Sequence, residues 1–268
     1  AIPVALSCYH SFFNILNTSI LVWFIPTIER IVNKMVTTDD EEEFRLKFIP
    51  TGLMSASELS IEPAKKEIES FSKRVVRMYE FVPSMFIETD EKKFEQLMER
   101  TKKYEEITDR MEVEIANYLT KVSENELSLS ASQEVSAMLR IVDNLESIGD
   151  SCYQLSIAIE SKRKQNIWFS QDMRDKVQTM FSLVREAILE MNDNLSENYH
   201  SVNGQRATEI ENKINNYRDQ LRNEHTEAVK NNEYSYQTGI CYSNLYAQCE
   251  KLADFAINVT EAIVKTQK

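Results

Sequence analysis

Asn144-Leu145-Glu146-Ser147-Ile148-Gly149-Asp150 returns 104 residues later as Gln248-Cys249-Glu250-Lys251-Leu252-Ala253-Asp254, with a carboxylate, a small residue and a second carboxylate at matching places. The same offset keeps Leu155-Ser156-Ile157 beside Val259-Thr260-Glu261. Further upstream, Tyr104-Glu105-Glu106-Ile107-Thr108-Asp109 recurs more loosely as Ile210-Glu211-Asn212-Lys213-Ile214-Asn215. A repeat of this length marks a duplicated supersecondary unit, each copy too small to bury its apolar face alone.

Around both copies the apolar residues recur with a helical period. Phe94, Leu97, Met98, Met111, Ile115, Leu119 and Val122 form one stripe, and Met138, Leu139, Val142, Leu145, Cys152, Leu155 and Ile159 form the next. Such stripes are core-facing. Turn residues at Pro83, Thr89-Asp90, Ser123 to Ser130, Asn166 to Ser170, Ser201 to Gly204 and Asn231-Asn232 separate six helices, expected over 62–84, 90–123, 130–165, 170–198, 203–231 and 235–267. With only 4 Gly and 5 Pro in 268 residues, the chain lacks the turns of a sandwich, barrel or glycine-rich nucleotide fold. The expected class is all-α: two three-helix bundles, over 62–165 and 170–268.

Charge narrows the function. A net charge of −12 argues against a phosphate backbone as partner, so nucleic acid is excluded. Cys8, Cys152, Cys241 and Cys249 make no Cys-x-x-Cys pair and read as reduced, small core residues. Neither a nucleophilic triad nor a phosphate loop is legible, so the chain does not read as an enzyme. His225 stands on a polar helical stretch and reads as solvent-exposed. The carboxylates stand out instead. Glu105 and Asp109, Glu146 and Asp150, and Glu250 and Asp254 are each four residues apart, one turn along a helix face, where like charges repel. Two antiparallel helices presenting such pairs can gather oxygen ligands around a hard or borderline cation. Glu105, Asp109, Glu146 and Asp150 make a first candidate site, and Glu211, Asn215, Glu250 and Asp254 a second, weaker by one carboxylate. Plain helix-surface acid is the competing reading.

The N-terminal 36 residues differ in kind. From Ile2 to Ile28 no charged residue interrupts the apolar run, which is long enough to span a bilayer core of about 30 Å as a helix. His10, Asn14 and Asn17 share one face of it and are candidates for lining a transport pathway. Residues 37–61, with an acidic run at 39–43 and Pro50-Thr51-Gly52, read as a linker.

The segment from Leu145 to Asp150 resembles the Leu-Glu-Arg-Ile-Gly-Asp signature of PhoU domains, and Cys249 to Asn258 resembles its second copy. Ser147 and Lys251 stand in place of the usual Arg, and Asn215 in place of an acid. The resemblance covers residues 62–268 and implies twin three-helix bundles that bind metal clusters through Glu-x-x-x-Asp motifs and take part in phosphate control. The metal it implies is divalent or ferric, with Fe, Mn, Mg and Zn all open. The apolar segment with His10, Phe13 and Asn14 before Pro26 resembles the last membrane helix of bacterial sodium/phosphate cotransporters, some of which carry a PhoU-like cytoplasmic tail. That resemblance implies the C-terminal part of such a transporter in the bacterial inner membrane, with residues after 36 in the cytoplasm. Sodium and inorganic phosphate would then be its partners through helices upstream of Ala1. Acidic helical faces with exposed Met and Tyr are compatible with a homodimer. The alternative is a helical signalling or scaffold module on a single membrane tether, without metal.

Overall fold

The computed structural model describes residues 9–14, 44–49, 60–197, 199 and 201–267. Residues 9–14 are helical and exposed. The expected membrane span otherwise lies outside the described residues; among these, no helix is long and apolar enough to cross a membrane. Phe44–Lys268 forms one compact unit, built from α1 (Ile61–Ile87), α2 (Glu91–Ser123), α3 (Leu129–Lys164), α4 (Gln171–Ser196), α5 (Gln205–Lys230) and α6 (Tyr236–Lys265).

The helix starts follow from side chains that supply an acceptor to the orphan first-turn amides. Asp90 accepts from Lys93 N at 2.9 Å, while Ser128, Ser170 and Ser235 do the same for α3, α4 and α6 at 3.2 Å. Asn166 and Asn232, which tolerate a left-handed backbone, end α3 and α5 at φ 52 and 55. One expected break moves. Helix α1 runs through Pro83 to Ile87 because Val82 and Met85 on its inner face stay buried, which outweighs the backbone bond a proline removes. Arg163 of α3 then ties down the α1–α2 connection, donating to the carbonyls of Glu88 at 2.8 Å and Thr89 at 3.0 Å and pairing with Glu91 at 2.7 Å.

The α1–α2–α3 and α4–α5–α6 bundles share one continuous core. They meet along α3 against α6, the most extensive helix pairing in the unit, and along α1 against α4. At that seam Tyr79 donates to the carbonyl of Phe181 at 2.6 Å and Ser72 to Asn192 at 2.6 Å. Cys152 and Cys249 are buried there as free thiols, consistent with small core residues. Part of the expected linker is packed rather than loose. Glu67 Oε2 accepts from the amides of Lys47 at 2.9 Å and Phe48 at 2.8 Å, Ile49 is buried, and the Arg110 guanidinium lies over the Phe44 ring.

Candidate metal centre

Glu105 and Asp109 project from the middle of α2 and Asp150 from the middle of α3. One carboxylate oxygen from each lies within 4.8 Å of the others, close enough for a single cation to bridge them. The helices come this near because residue 149 has no Cβ. One placed there would stand 2.8 Å from Thr108 Oγ1, so Gly149 admits the neighbouring helix. Thr108 is itself turned back on α2, donating to the Glu105 carbonyl at 2.8 Å.

Electrostatically the site is relieved only weakly, by Lys102 at Glu105 and by the Ser147 hydroxyl at Glu146. Burial, followed by Asp109 and Asp150, raises the Glu105 pKa; burial, followed by Asp150, raises that of Asp109. Glu146 is pushed up to about 7 by burial and then by Asp150, Asp109 and Glu112. Asp109 Oδ1 is buried with no hydrogen-bond partner. A buried carboxylate oxygen without a donor is costly, and a cation is the partner that would satisfy it. The residues therefore fit a metal, held by Glu105, Asp109 and Asp150. Glu146 is electrostatically coupled to the three but is not within the same ligand distance. Two acids absent from the expected set flank the site: Glu112, whose pKa burial and then Asp143 raise, and Asp143 itself. Their signal was in the sequence, since Glu112 follows Asp109 by three residues and Asp143 precedes Glu146 by three, continuing both acidic faces.

In the second half the acids remain electrostatically coupled without sharing one ligand distance. Among the described residues Glu211, Glu250 and Asp254 form no such convergent set. Arg218 donates to Glu250 at 2.6 Å instead. Asp254 is raised to about 6 by burial, then by Glu250 and Glu211, against the opposing pull of Arg218. His10 and Asn14 are exposed within the helical residues 9–14, and Asn17 lies outside the described residues.

A model of the PhoU domain family matches residues 68–158, which include all of the first carboxylate set. The helical unit also superposes on the phosphate transport system regulatory protein PhoU from Streptococcus pneumoniae, with a TM-score of 0.65, 15% identity, and coverage of 78% of this chain and 95% of that one. The fold is PhoU-like. PhoU from Pseudomonas aeruginosa superposes with a TM-score of 0.69 at 13% identity, over 77% of this chain and 96% of that one. No curated protein matches by sequence. The PhoU-like likeness thus extends through both halves in fold, while the family match in sequence is confined to the first.

Proposed function

We propose that residues 60–267 form a non-enzymatic, metal-binding regulatory domain of the PhoU kind, acting in phosphate transport from the cytoplasmic side of a sodium-dependent phosphate transporter. The observation that carries the metal reading is the convergence of Glu105, Asp109 and Asp150 with Asp109 Oδ1 buried and unsatisfied. Bound there, a divalent or ferric ion supplies positive charge and Lewis acidity. The chain's own residues supply three oxygen ligands, with Glu112, Asp143 and Glu146 holding a negative field around them. Phosphate control is suggested by the PhoU-like fold. The transporter context rests on the uncharged apolar run from Ile2 to Ile28, which would place the chain in the bacterial inner membrane.

Elemental analysis of the full chain, purified without chelator, tests the metal reading. Wild type is expected to carry Fe, Mn or a similar ion, Asp150→Ala to lose most of it, and Asp254→Ala to lose much less. Metal absent from all three, with thermal stability unchanged on adding Mn or Fe, overturns it in favour of a metal-free scaffold. The membrane context is tested separately by fractionation: recovery of the full chain without detergent, outside the membrane fraction, removes the transporter part.

A further inference from the structure

The far end of the second half contains a cleft that the first half does not keep. The offset that pairs Asp109 with Asn215 pairs Tyr118 with Glu224 and Leu119 with His225, and the offset that pairs Asp150 with Asp254 pairs Val135 with Gly239. The burial pattern follows the same register: Ile115, Val122, Met138 and Val142 match Leu221, Ala228, Tyr242 and Tyr246, all buried. In the first half this end is closed. Tyr118, Leu119 and Val135 are buried, and the Tyr118 hydroxyl donates to the Ser60 carbonyl at 2.8 Å. In the second half a cleft of about 700 Å³ opens between the start of α4, the end of α5 and the start of α6. A Cβ at Gly239 would stand 3.0 Å from His225 Cε1 and 3.2 Å from Tyr234 Cε2, so the glycine makes room for both rings. Their pairing, His225 Nδ1 to the Tyr234 hydroxyl at 2.6 Å, forms part of the lining. A glycine inside a helix and an imidazole in place of a buried leucine both weaken folding. The first half shows that the same framework does without them.

The chemistry of the lining selects a cation. Asp172, Glu224, Glu227 and Glu233 line the cleft against a single ammonium, that of Lys176. Asp172 at 2.6 Å and Glu224 at 2.8 Å already engage that ammonium, and Lys230 from outside the lining pairs with Glu227 at 2.7 Å, which leaves the four acids in excess over two ammonium groups. Burial lowers the His225 pKa and so disfavours a positive charge on the imidazole. Trp168, Tyr234 and Tyr242 contribute aromatic rings, and Trp168 is 76% exposed. The Arg174 guanidinium already lies 5.0 Å from the Trp168 ring centroid, so that ring accepts a cation within the chain itself. We propose that this cleft binds an organic cation, an alkylammonium group carried either by a free polyamine or by a lysine side chain of a peptide. The cleft shares no residue with the carboxylate set around Asp109, so its occupancy stands or falls independently of the metal reading.

Isothermal titration calorimetry on the full chain tests the site, with spermidine and a blocked lysine tripeptide as separate probes. Saturable one-site binding that weakens as salt rises is expected. Trp168→Leu is expected to weaken it about threefold. His225→Leu combined with Gly239→Val, which restores the first half's residues and fills the cleft, is expected to weaken it at least about tenfold while circular dichroism and the urea midpoint show a chain folded as well as wild type. Should that pair fail to fold, Glu227→Gln with Glu233→Gln, at the solvent edge, gives the same reading by lowering affinity about threefold or more. Tighter binding of spermidine identifies a free polyamine as the source, and tighter binding of the peptide identifies a side chain. The proposal is overturned if neither probe gives saturable heat up to about 10 mM, if the filled variant binds as wild type does, or if inorganic phosphate binds the cleft in their place.

Discussion

One turn beyond Asp109 the first half carries Glu112, and at the equivalent place beyond Asn215 the second half carries Arg218. The two halves thus meet the same electrostatic problem differently. The first packs acid against acid, with Glu146 driven up to about 7 and an Asp109 oxygen left without a donor. The second has traded one acid for an amide and another for a guanidinium, which closes on Glu250 at 2.6 Å. An internal cation does in one bundle what, on the metal reading proposed above, an external cation would do in the other. A duplicated motif therefore does not imply a duplicated charge balance: the residue at a single neighbouring position, Glu112 or Arg218, decides whether the acids are left without a basic partner.

The strongest way to break this comparison is to remove the guanidinium. Arg218 and Glu250 are each only about a quarter exposed, so Arg218→Ala leaves Glu250 facing Asp254 and Glu211 without compensation. A loss of about 2–3 kcal/mol is expected in urea unfolding, together with a further upward shift of Asp254 in an NMR titration. An unchanged midpoint and an unchanged Asp254 would mean that the second half does not depend on its internal cation.

A smaller effect is expected at the helix contact behind the first site. Gly149→Ala drives a methyl to 2.8 Å from Thr108 Oγ1, and is expected to cost about 1–2 kcal/mol even after the gain in helix propensity. Thr108→Ala in the same chain should recover part of the loss, as a double-mutant cycle would show. The second half already has Ala253 at the equivalent position, so Ala253→Gly should bring no relief and only the ordinary cost of a helical glycine, about 1 kcal/mol.

The smallest effect is the pH response of the metal-stripped protein. Glu146 ionises at about 7 in the folded chain against an ordinary 4.5. The folded state therefore holds the proton more tightly, and the stability this confers is fully present below 4.5 and lost as pH rises through 7. In chelator the melting temperature is expected to fall by about 2–4 °C between pH 5 and 8, a modest figure because the group is partly exposed. Glu146→Gln should flatten this slope, and so should added metal. A slope of the opposite sign would remove Glu146 from the acidic network.

The six helices and their order were legible from apolar period and turn residues, and the two halves from the Glu146–Asp150 and Glu250–Asp254 pairs, because these are local or repeated signals. The α1 terminus was not: Pro83 is a break by propensity, and only the burial of Val82 and Met85 overrides it. Three of the four first-site acids come together, as four-residue spacing on adjacent helices allows. The Arg218–Glu250 pairing escaped the reading because its partners lie 32 residues apart on different helices. The half-burial of His225 is not legible for a similar reason: its own helix is polar, and the groups that cover it are Gly239 on the next helix and Tyr234 in the connection leading to it.

Glu67 has a consequence for whatever lies ahead of Phe44. One carboxylate oxygen clasps two successive backbone amides, and Ile49 is pressed into the core beside them. The chain is thereby anchored to the second turn of α1 before that helix begins in sequence. A pull applied at Phe44 is delivered to the bundle at residues 47–49, through two backbone hydrogen bonds to one side chain of α1. Residues 44–49 thus form a fixed handle on the bundle, and its grip is set by one buried carboxylate.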